Sequence, residues 1–483
     1  MNIAEKIRME NANRRDGAAV IEGSKQWTYG EVFQKIDVLR DLLAPRGIGP
    51  GTRVAFRCED GIEYIAWSLA LLESGAAIVP VSTDLTQTET NETLERIDVH
   101  GFLSQAENPG SSPEGEVLTG HGFEEDFLWQ AREPRGTAPE ECEELNAAFI
   151  RFSSGTTGAS KGVVLTHQSI IDRTDAANEA LGISPEDIIL WVLSMSHHFV
   201  VSILLFLRKG ATIVIGHRDF PTSLLDAATE GDITFIYASP VHYEILAETD
   251  AVSAEDLGNV RIAISTAMKL PPAIARSFAE KFGFELAEAY GIIEVGLPFI
   301  NLNPGRTSRG SVGRMLDAYK LKIDNKDDSG VGEVFVRGQG MFDAYFSPWC
   351  PREEALEDGW FRTGDLGKLD EEDNLQIVGR SKTVIVCAGM KVFPVEVEAV
   401  LNAHPAVEES LVYGADHPTY GQIPEARIVP ADPEADTAEL TDQLRKFCYD
   451  RLTAYKVPKA FIFVEDLPRT PSGKLVRHQQ KGT

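Results

Sequence analysis

The chain has no excess of positive charge. Its 46 Lys and Arg stand against 74 Asp and Glu, a formal net charge of -28 over 483 residues. Phosphate recognition by nucleic-acid-binding proteins normally shows as a basic surplus, so this balance argues against nucleic acid and anionic membrane as partners. An acidic surface of this kind keeps a protein in solution. Cysteine is scarce: Cys58, Cys142, Cys350, Cys387 and Cys448 are scattered, odd in number and without a CxxC spacing. Neither a disulfide framework nor a zinc site is indicated, and a reducing cytoplasm is the expected location. No uncharged apolar run approaches membrane-spanning length, since the richest stretch, Ile188 to Leu207, is broken by Ser194, Ser196, His197 and His198. The opening MNIAEKIRMENANRRDG has no apolar core of signal-peptide length. No fixed-period repeat or long low-complexity tract is visible.

What remains is an ordinary globular composition, 43% hydrophobic and 25% charged, long enough for more than one domain. Short β-branched runs alternate with helical patterns, the mark of an α/β fold. Strands are expected at Gly162–Leu165, Ile188–Leu193, Ala211–Ile215, Ile233–Ala238 and Val260–Ile264, and PPAIARSFAEKFG reads as a helix with prolines at its start and Gly283 at its end. Residues 106–143 are rich in Pro, Gly and acidic side chains and read as a surface connection with little core, anchored at most by Phe123, Phe127 and Trp129. The last hundred or so residues read as a separate small α+β unit, with a boundary near Arg380 at the polar step GRSK.

The segment FSSGTTGASKG, Phe152 to Gly162, concentrates Ser153, Ser154, Gly155, Thr156, Thr157 and Lys161 in one loop between apolar runs. Glycines let backbone N–H groups turn toward an anion, hydroxyls add donors and the lysine adds charge, as a polyphosphate requires. It is not the common nucleotide P-loop, because Gly162 rather than Ser or Thr follows the lysine. By composition alone the same residues serve a flexible turn equally well.

This loop resembles the phosphate loop of the adenylate-forming superfamily, which contains acyl- and aryl-CoA synthetases, peptide-synthetase adenylation domains and firefly-type luciferases. Four further segments resemble that family in its own order: EAYGIIE (Glu288–Glu294), WFRTGDLG (Trp360–Gly367), IVGRSKTVIVCAGMKVFP (Ile377–Pro394) and LPRTPSGKLVR (Leu467–Arg477). The resemblance covers nearly the whole chain. It implies a large multi-subdomain N-terminal domain, layered α/β with a small β-rich part, over residues 1–380. A small mobile α+β domain over 381–483 would follow it.

The resemblance also implies roles. Ser153, Ser154, Gly155, Thr156, Thr157 and Lys161 would hold ATP phosphates; Tyr290 would stack on adenine; Asp365 and Arg380 would contact the ribose. Glu294 would hold Mg²⁺, a hard cation that prefers carboxylate and phosphate oxygens. Lys474 would be the catalytic lysine, bridging the attacking carboxylate and the α-phosphate. Lys382 would be the hinge about which the small domain turns, and Gly389 would lie where the pantetheine arm of coenzyme A passes. His197, Val200, Ile292 and Gly296 would line the acid pocket. Taken singly, Asp365 reads as a turn cap, Lys474 as an exposed turn lysine, Tyr290 as core packing and His197 as a hydrogen-bonding residue.

Several positions depart from the family pattern. Ile293 stands where a threonine is common before the magnesium glutamate, Thr383 replaces an acidic residue after the hinge lysine, and Ala344 replaces the glycine of a GY turn. Val200 stands where glycine is common, and STAMKL (Ser265–Leu270) replaces a GGAPL-like segment. The expected function is ATP-dependent activation of a small-molecule carboxylic acid to acyl-AMP, then transfer to coenzyme A. The alternatives are transfer to the phosphopantetheine of a separate acyl carrier protein, since no carrier domain follows Arg477, or a degenerate sensor that only binds. An amino-acid-adenylating enzyme is disfavoured because no aspartate lies between Trp191 and Arg208 to hold an ammonium group. Luciferase-style oxygenation is open only by analogy of fold.

Overall fold

The structure is a computed structural model that describes residues 1–106, 115–136, 138–152, 161–216, 219–304, 310–387, 390–418, 420–469 and 475–476. The chain forms two compact units, Met1–Lys320 with Val336–Phe361 and Leu321–Phe335 with Arg362–Thr483. This division differs from a line at 380: residues 362–380 group with the C-terminal part. Strand Leu375–Arg380 packs against helix Pro394–Leu401, and Asp365 pairs with Arg380 across neighbouring strands.

The first unit is built on two nine-stranded sheets. In one, Ala287–Ile292, Ile262–Ser265, Phe235–Ala238, Ile188–Trp191, Thr212–Ile215 and Ala18–Glu22 run parallel in that order, with antiparallel strands at both edges. Their near-continuous apolar sequences are those of strands covered on both faces. Helices Pro240–Glu248 and Pro272–Phe282 make the crossovers, the second ending at Gly283 with φ 80° as its sequence predicts. Between helices and sheet lie Leu190, Ile236, Tyr243, Leu246 and Phe278, all fully buried, and the Tyr243 hydroxyl donates to the carbonyl of Ile264 at 2.7 Å.

The other sheet runs Cys350–Pro351, Ala344–Tyr345, Gly162–Thr166, Ala147–Phe152, Ala77–Pro80, Arg53–Arg57, Gly101–Gln105, Phe127–Ala131 and Glu116–Leu118. The 106–143 segment is therefore more than a surface connection. Phe127 and Trp129 alternate inward along a strand paired with Gly101–Gln105. Helix Glu140–Glu144 follows. The period-2 spacing of those aromatics was outweighed in the sequence by the surrounding polar composition.

The second unit contains the hairpin Phe361–Leu369 with Leu375–Arg380, and a small sheet in which Ile385–Cys387 pairs with Met390–Val392 and with Gly421–Pro430. Strands Val407–His417 and Phe461–Phe463 flank Gly421–Pro430. Helices Pro394–Leu401 and Thr437–Tyr449 supply Val397, Leu401, Leu440, Leu444 and Cys448 to its core. Among the described residues no helix is long and apolar enough to cross a membrane.

Gly101 tests the packing of the edge. A Cβ there would lie 1.9 Å from Cη2 of Trp129. Gly101→Ala is expected to destabilise the protein by about 1–3 kcal/mol in denaturant unfolding, the usual cost of overpacking. Adding Trp129→Leu should recover part of that loss.

Candidate active site

Glu294 stands at the tip of a tight hairpin. Strands Ala287–Ile292 and Gly296–Asn301 are antiparallel, with Ile292 opposite Gly296 and the Val295 N–H donating to the Ile292 carbonyl at 3.0 Å. Gly296 adopts φ 105°, a left-handed value that favours glycine, and a Cβ would meet the Tyr319 hydroxyl at 3.0 Å. Gly296 and the half-buried Ile292 thus shape the turn that presents Glu294.

Three contacts hold this tip. The Phe342 N–H donates to the Glu294 carbonyl at 2.8 Å. Arg173, buried on helix His167–Leu181, donates to the Ile293 carbonyl at 3.0 Å and twice to the Gly340 carbonyl, at 2.9 and 2.6 Å. Ile293 therefore contributes its main chain here, whatever its side chain lacks. That helix begins at Thr166, whose hydroxyl accepts from Ser169 N–H, and ends at Gly182 with φ 59°. Burial lowers the Arg173 pKa to about 10, so it stays charged at neutral pH.

The third contact links Glu294 to the phosphate-loop lysine. Strand Ala147–Phe152 pairs antiparallel with Gly162–Thr166, Phe152 opposite Gly162, so the loop spans two adjacent strand ends. Strand Ala344–Tyr345 lies on the other side of Gly162–Thr166, with Tyr345 opposite Val163. The Tyr345 hydroxyl donates to Glu294 Oε1 at 3.5 Å, and Lys161 Nζ sits 4.5 Å from the Tyr345 ring centroid. Burial, reinforced by the Glu294 charge, pushes the Tyr345 hydroxyl pKa up, which keeps it a donor. Ala344 is fully buried with Ile97, Ile150, Val164 and Phe346, so its methyl fills core space. Ser153, Ser154, Gly155, Thr156 and Thr157 lie outside the described residues.

Tyr290 is half-buried on strand Ala287–Ile292, opposite Phe299 and edge-on to it at 6.0 Å. Two residues earlier, burial pushes Glu288 up to about 7, partly opposed by a Leu270 backbone hydrogen bond and Lys269. Ala267, in the STAMKL segment, adopts φ 69°, a conformation in which glycine costs less.

The acid-pocket candidates lie on the short helix Met195–His198 and the π-helical turn Phe199–Ile203. The His197 Nδ1 is 2.9 Å from Ser196 Oγ and 3.4 Å from Ser194 Oγ. Its carbonyl accepts from Arg151 Nη1. Met195 N–H donates to Asp60 Oδ1 at 2.9 Å, and Val200 is buried.

In the second unit, Asp365 and Arg380 face each other in register, with Arg380 Nε 2.6 Å from Asp365 Oδ1. Asp365 is 3% exposed and Arg380 open to solvent. The aspartate thus belongs to a strand and bonds across it, beyond capping a turn. Lys382 is exposed on the 3-10 turn Ser381–Thr383, where the Thr383 hydroxyl donates to the Arg380 carbonyl at 3.1 Å. Gly389 and Lys474 lie outside the described residues.

Sequence reading alone missed Tyr345, Arg173 and Arg151. Only Arg151 carried a usable signal, a charge inside the apolar strand AAFIRF.

Two outcomes follow from this geometry. Tyr345→Phe keeps the ring under Lys161 but removes one hydrogen bond to Glu294, worth about 0.5–1.5 kcal/mol. With the fold intact, it should lower the unfolding free energy by about that amount in denaturant unfolding. The folded pKa of Glu288, about 7, lies above its ordinary 4.5. Its stability contribution is therefore full below pH 4.5 and is lost as pH rises through 7. Glu288→Gln should flatten the fall in melting temperature across that window.

Comparison with known proteins accords with this geometry. The AMP-binding enzyme model matches residues 7–346, and the model for the AMP-binding enzyme C-terminal domain matches 396–474. A 2-succinylbenzoate–CoA ligase of Bacillus licheniformis is 28% identical over 477 residues, 96% of each chain. A 4-coumarate–CoA ligase 3 of Oryza sativa subsp. japonica is 33% identical over 350 residues, 68% of this chain and 62% of that protein. Among solved structures, the o-succinylbenzoate CoA synthetase of Bacillus subtilis in complex with its acyl-adenylate intermediate has a TM-score of 0.81 at 25% identity, covering 100% of this chain and 98% of that one. ATP-bound MatB from Rhodopseudomonas palustris also has a TM-score of 0.81 at 25% identity, covering 98% and 97%. With matches to both parts of the fold, the chain belongs to the AMP-binding enzyme family.

Proposed function

We propose that the protein is an AMP-forming acid–thiol ligase that activates a small-molecule carboxylic acid with ATP and passes the acyl group to coenzyme A. The observation that carries this reading is the Lys161–Tyr345–Glu294 grouping beside the phosphate-loop strands. A cation and a carboxylate brought together beside these strands support binding of a Mg·ATP triphosphate there. The relatives named above as CoA ligases support coenzyme A as the acceptor.

The acid's carboxylate oxygen attacks the α-phosphorus of ATP, and the bond to the β-phosphate oxygen breaks with its electron pair leaving on pyrophosphate. The thiol then attacks the acyl carbon and AMP leaves. The protein's part is positioning and charge neutralisation. Lys161 and the loop 153–160 would hold phosphates, Tyr290 the adenine, and Asp365 with Arg380 the ribose. His197, Val200, Ile292 and Gly296 would border the acid. Lys474 would offset charge at the α-phosphate, Lys382 would be the hinge, and Gly389 would border the pantetheine arm.

Magnesium fits the donor set. Glu294 offers a half-buried carboxylate already oriented by Tyr345, and Mg²⁺ is commonly held by one or two carboxylates with phosphates supplying other ligands. Among the described residues no cluster of three His, Cys, Asp or Glu could hold a metal by itself. Bound there, the ion would neutralise phosphate charge.

The test is pyrophosphate release from ATP with pooled aliphatic and aromatic acids, with and without coenzyme A. Acid-dependent release with the matching acyl-CoA identified by mass spectrometry is the expected result. Glu294→Gln and Lys474→Ala should each lower it about 100–1,000-fold, as loss of a preorganised electrostatic contact does. Acyl-AMP that accumulates without turnover by coenzyme A would assign a carrier protein as acceptor. No release above the Lys474→Ala background would overturn the ligase reading in favour of a binding protein.

A further inference from the structure

Arg151 is the second-to-last residue of strand Ala147–Phe152, immediately before the loop expected to hold phosphate. Its Nη1 reaches the His197 carbonyl and so ties the phosphate-loop strand to the candidate acid-pocket segment. The residue is half-buried, and its Nε is closed to solvent with no hydrogen-bond partner among the described residues. Arg173 makes three bonds to carbonyls and Arg208 pairs with both Glu10 and Asp175, whereas the fully buried Arg57 also leaves its Nε without a partner. Arg151 makes one hydrogen bond and no ion pair among the described residues. Burial pulls its pKa down, opposed chiefly by the Glu294 charge and then by Tyr64, so the metal-side carboxylate is the charge it senses most.

An interior guanidinium without a bonded anion is costly, and its planar fork matches a carboxylate. The position, between the His197 segment and the charge of Glu294, is where an acid entering that pocket would bring its own carboxylate toward the α-phosphate. Two anionic groups must approach there. We infer that Arg151 binds the reacting carboxylate of the acid substrate and holds it against the repulsion of the α-phosphate. This rests on the ligase reading. The carboxylate oxygen held by Arg151 bonds to the α-phosphorus as pyrophosphate departs with the electron pair, and no proton is transferred. Once the acyl-adenylate ester has formed, that anion is gone, so Arg151 should matter little to thiol transfer.

The experiment compares the parent protein with Arg151→Met and Arg151→Lys as full chains. Pyrophosphate release is measured with acetate, hexanoate, benzoate and 4-hydroxybenzoate, and thiol transfer with synthetic benzoyl-AMP and hexanoyl-AMP plus coenzyme A. Arg151→Met is expected to raise the acid KM about 10–100-fold for every acid the parent uses, the size of one charge-assisted hydrogen bond. The ATP KM and the transfer rate from the supplied adenylate should move less than about 3-fold, and Arg151→Lys should recover part of the loss. Equal effects on acid KM, ATP KM and thiol transfer, or a collapsed melting transition in both variants, would show that Arg151 only braces the His197 segment and would overturn the inference. A loss confined to 4-hydroxybenzoate would also overturn it, since the arginine would then read a ring substituent. If the parent releases no pyrophosphate with any acid, the ligase reading fails, and the inference falls with it.

Discussion

Holding the Glu294 carboxylate in a half-buried hairpin turn is an electrostatic problem, because a desolvated charge is costly unless groups around it are bonded. Its hairpin meets this with structure on every side. Gly296 allows the tight return of the chain, the Phe342 N–H and Arg173 bind the turn's carbonyls, and Tyr345 touches the carboxylate itself. The Tyr345 ring also receives Lys161 on its face, so one aromatic side chain orients both an anion and a cation. The two groups are far apart in sequence, and strand Ala344–Tyr345 beside Gly162–Thr166 brings them together.

Departures from the family pattern acquire physical reasons in this setting. The Ala344 methyl sits in a packed cluster, where a glycine would leave a gap. The Thr383 hydroxyl bonds the Arg380 carbonyl and so closes the 3-10 turn that carries Lys382. Ile293 keeps a main-chain role through Arg173. Ala267 is the exception: it holds a left-handed conformation without glycine, and nothing in the surroundings explains the choice. Of these substitutions only Thr383 replaces a charged residue, beside the proposed hinge.

Asp365 and Arg380 show the same economy within the second unit. Arg380 pairs with Asp365 across adjacent strands, so the aspartate is oriented and its buried charge has a partner. A carboxylate buried this deeply would be costly alone. Contact with helix Pro394–Leu401 groups strand Leu375–Arg380 with the C-terminal unit although its sequence offers no break before GRSK.

Local chemistry decided much of this by itself. The apolar runs of the parallel sheet and the Pro-to-Gly frame of helix Pro272–Phe282 are properties of contiguous residues and sufficed for the α/β class, while five short segments in the family's order carried the resemblance to adenylate-forming enzymes. The strands within 106–143 escaped because their inward aromatics sit amid polar residues whose composition speaks for a loop. Tyr345, Arg173 and Arg151 escaped for a different reason: a tyrosine, a helical arginine and a strand arginine carry no spacing signal for partners that are distant in sequence. Only tertiary structure could decide that Tyr345 bridges Lys161 and Glu294, or that Arg151 bonds the His197 carbonyl, because strand order and helix packing set those distances.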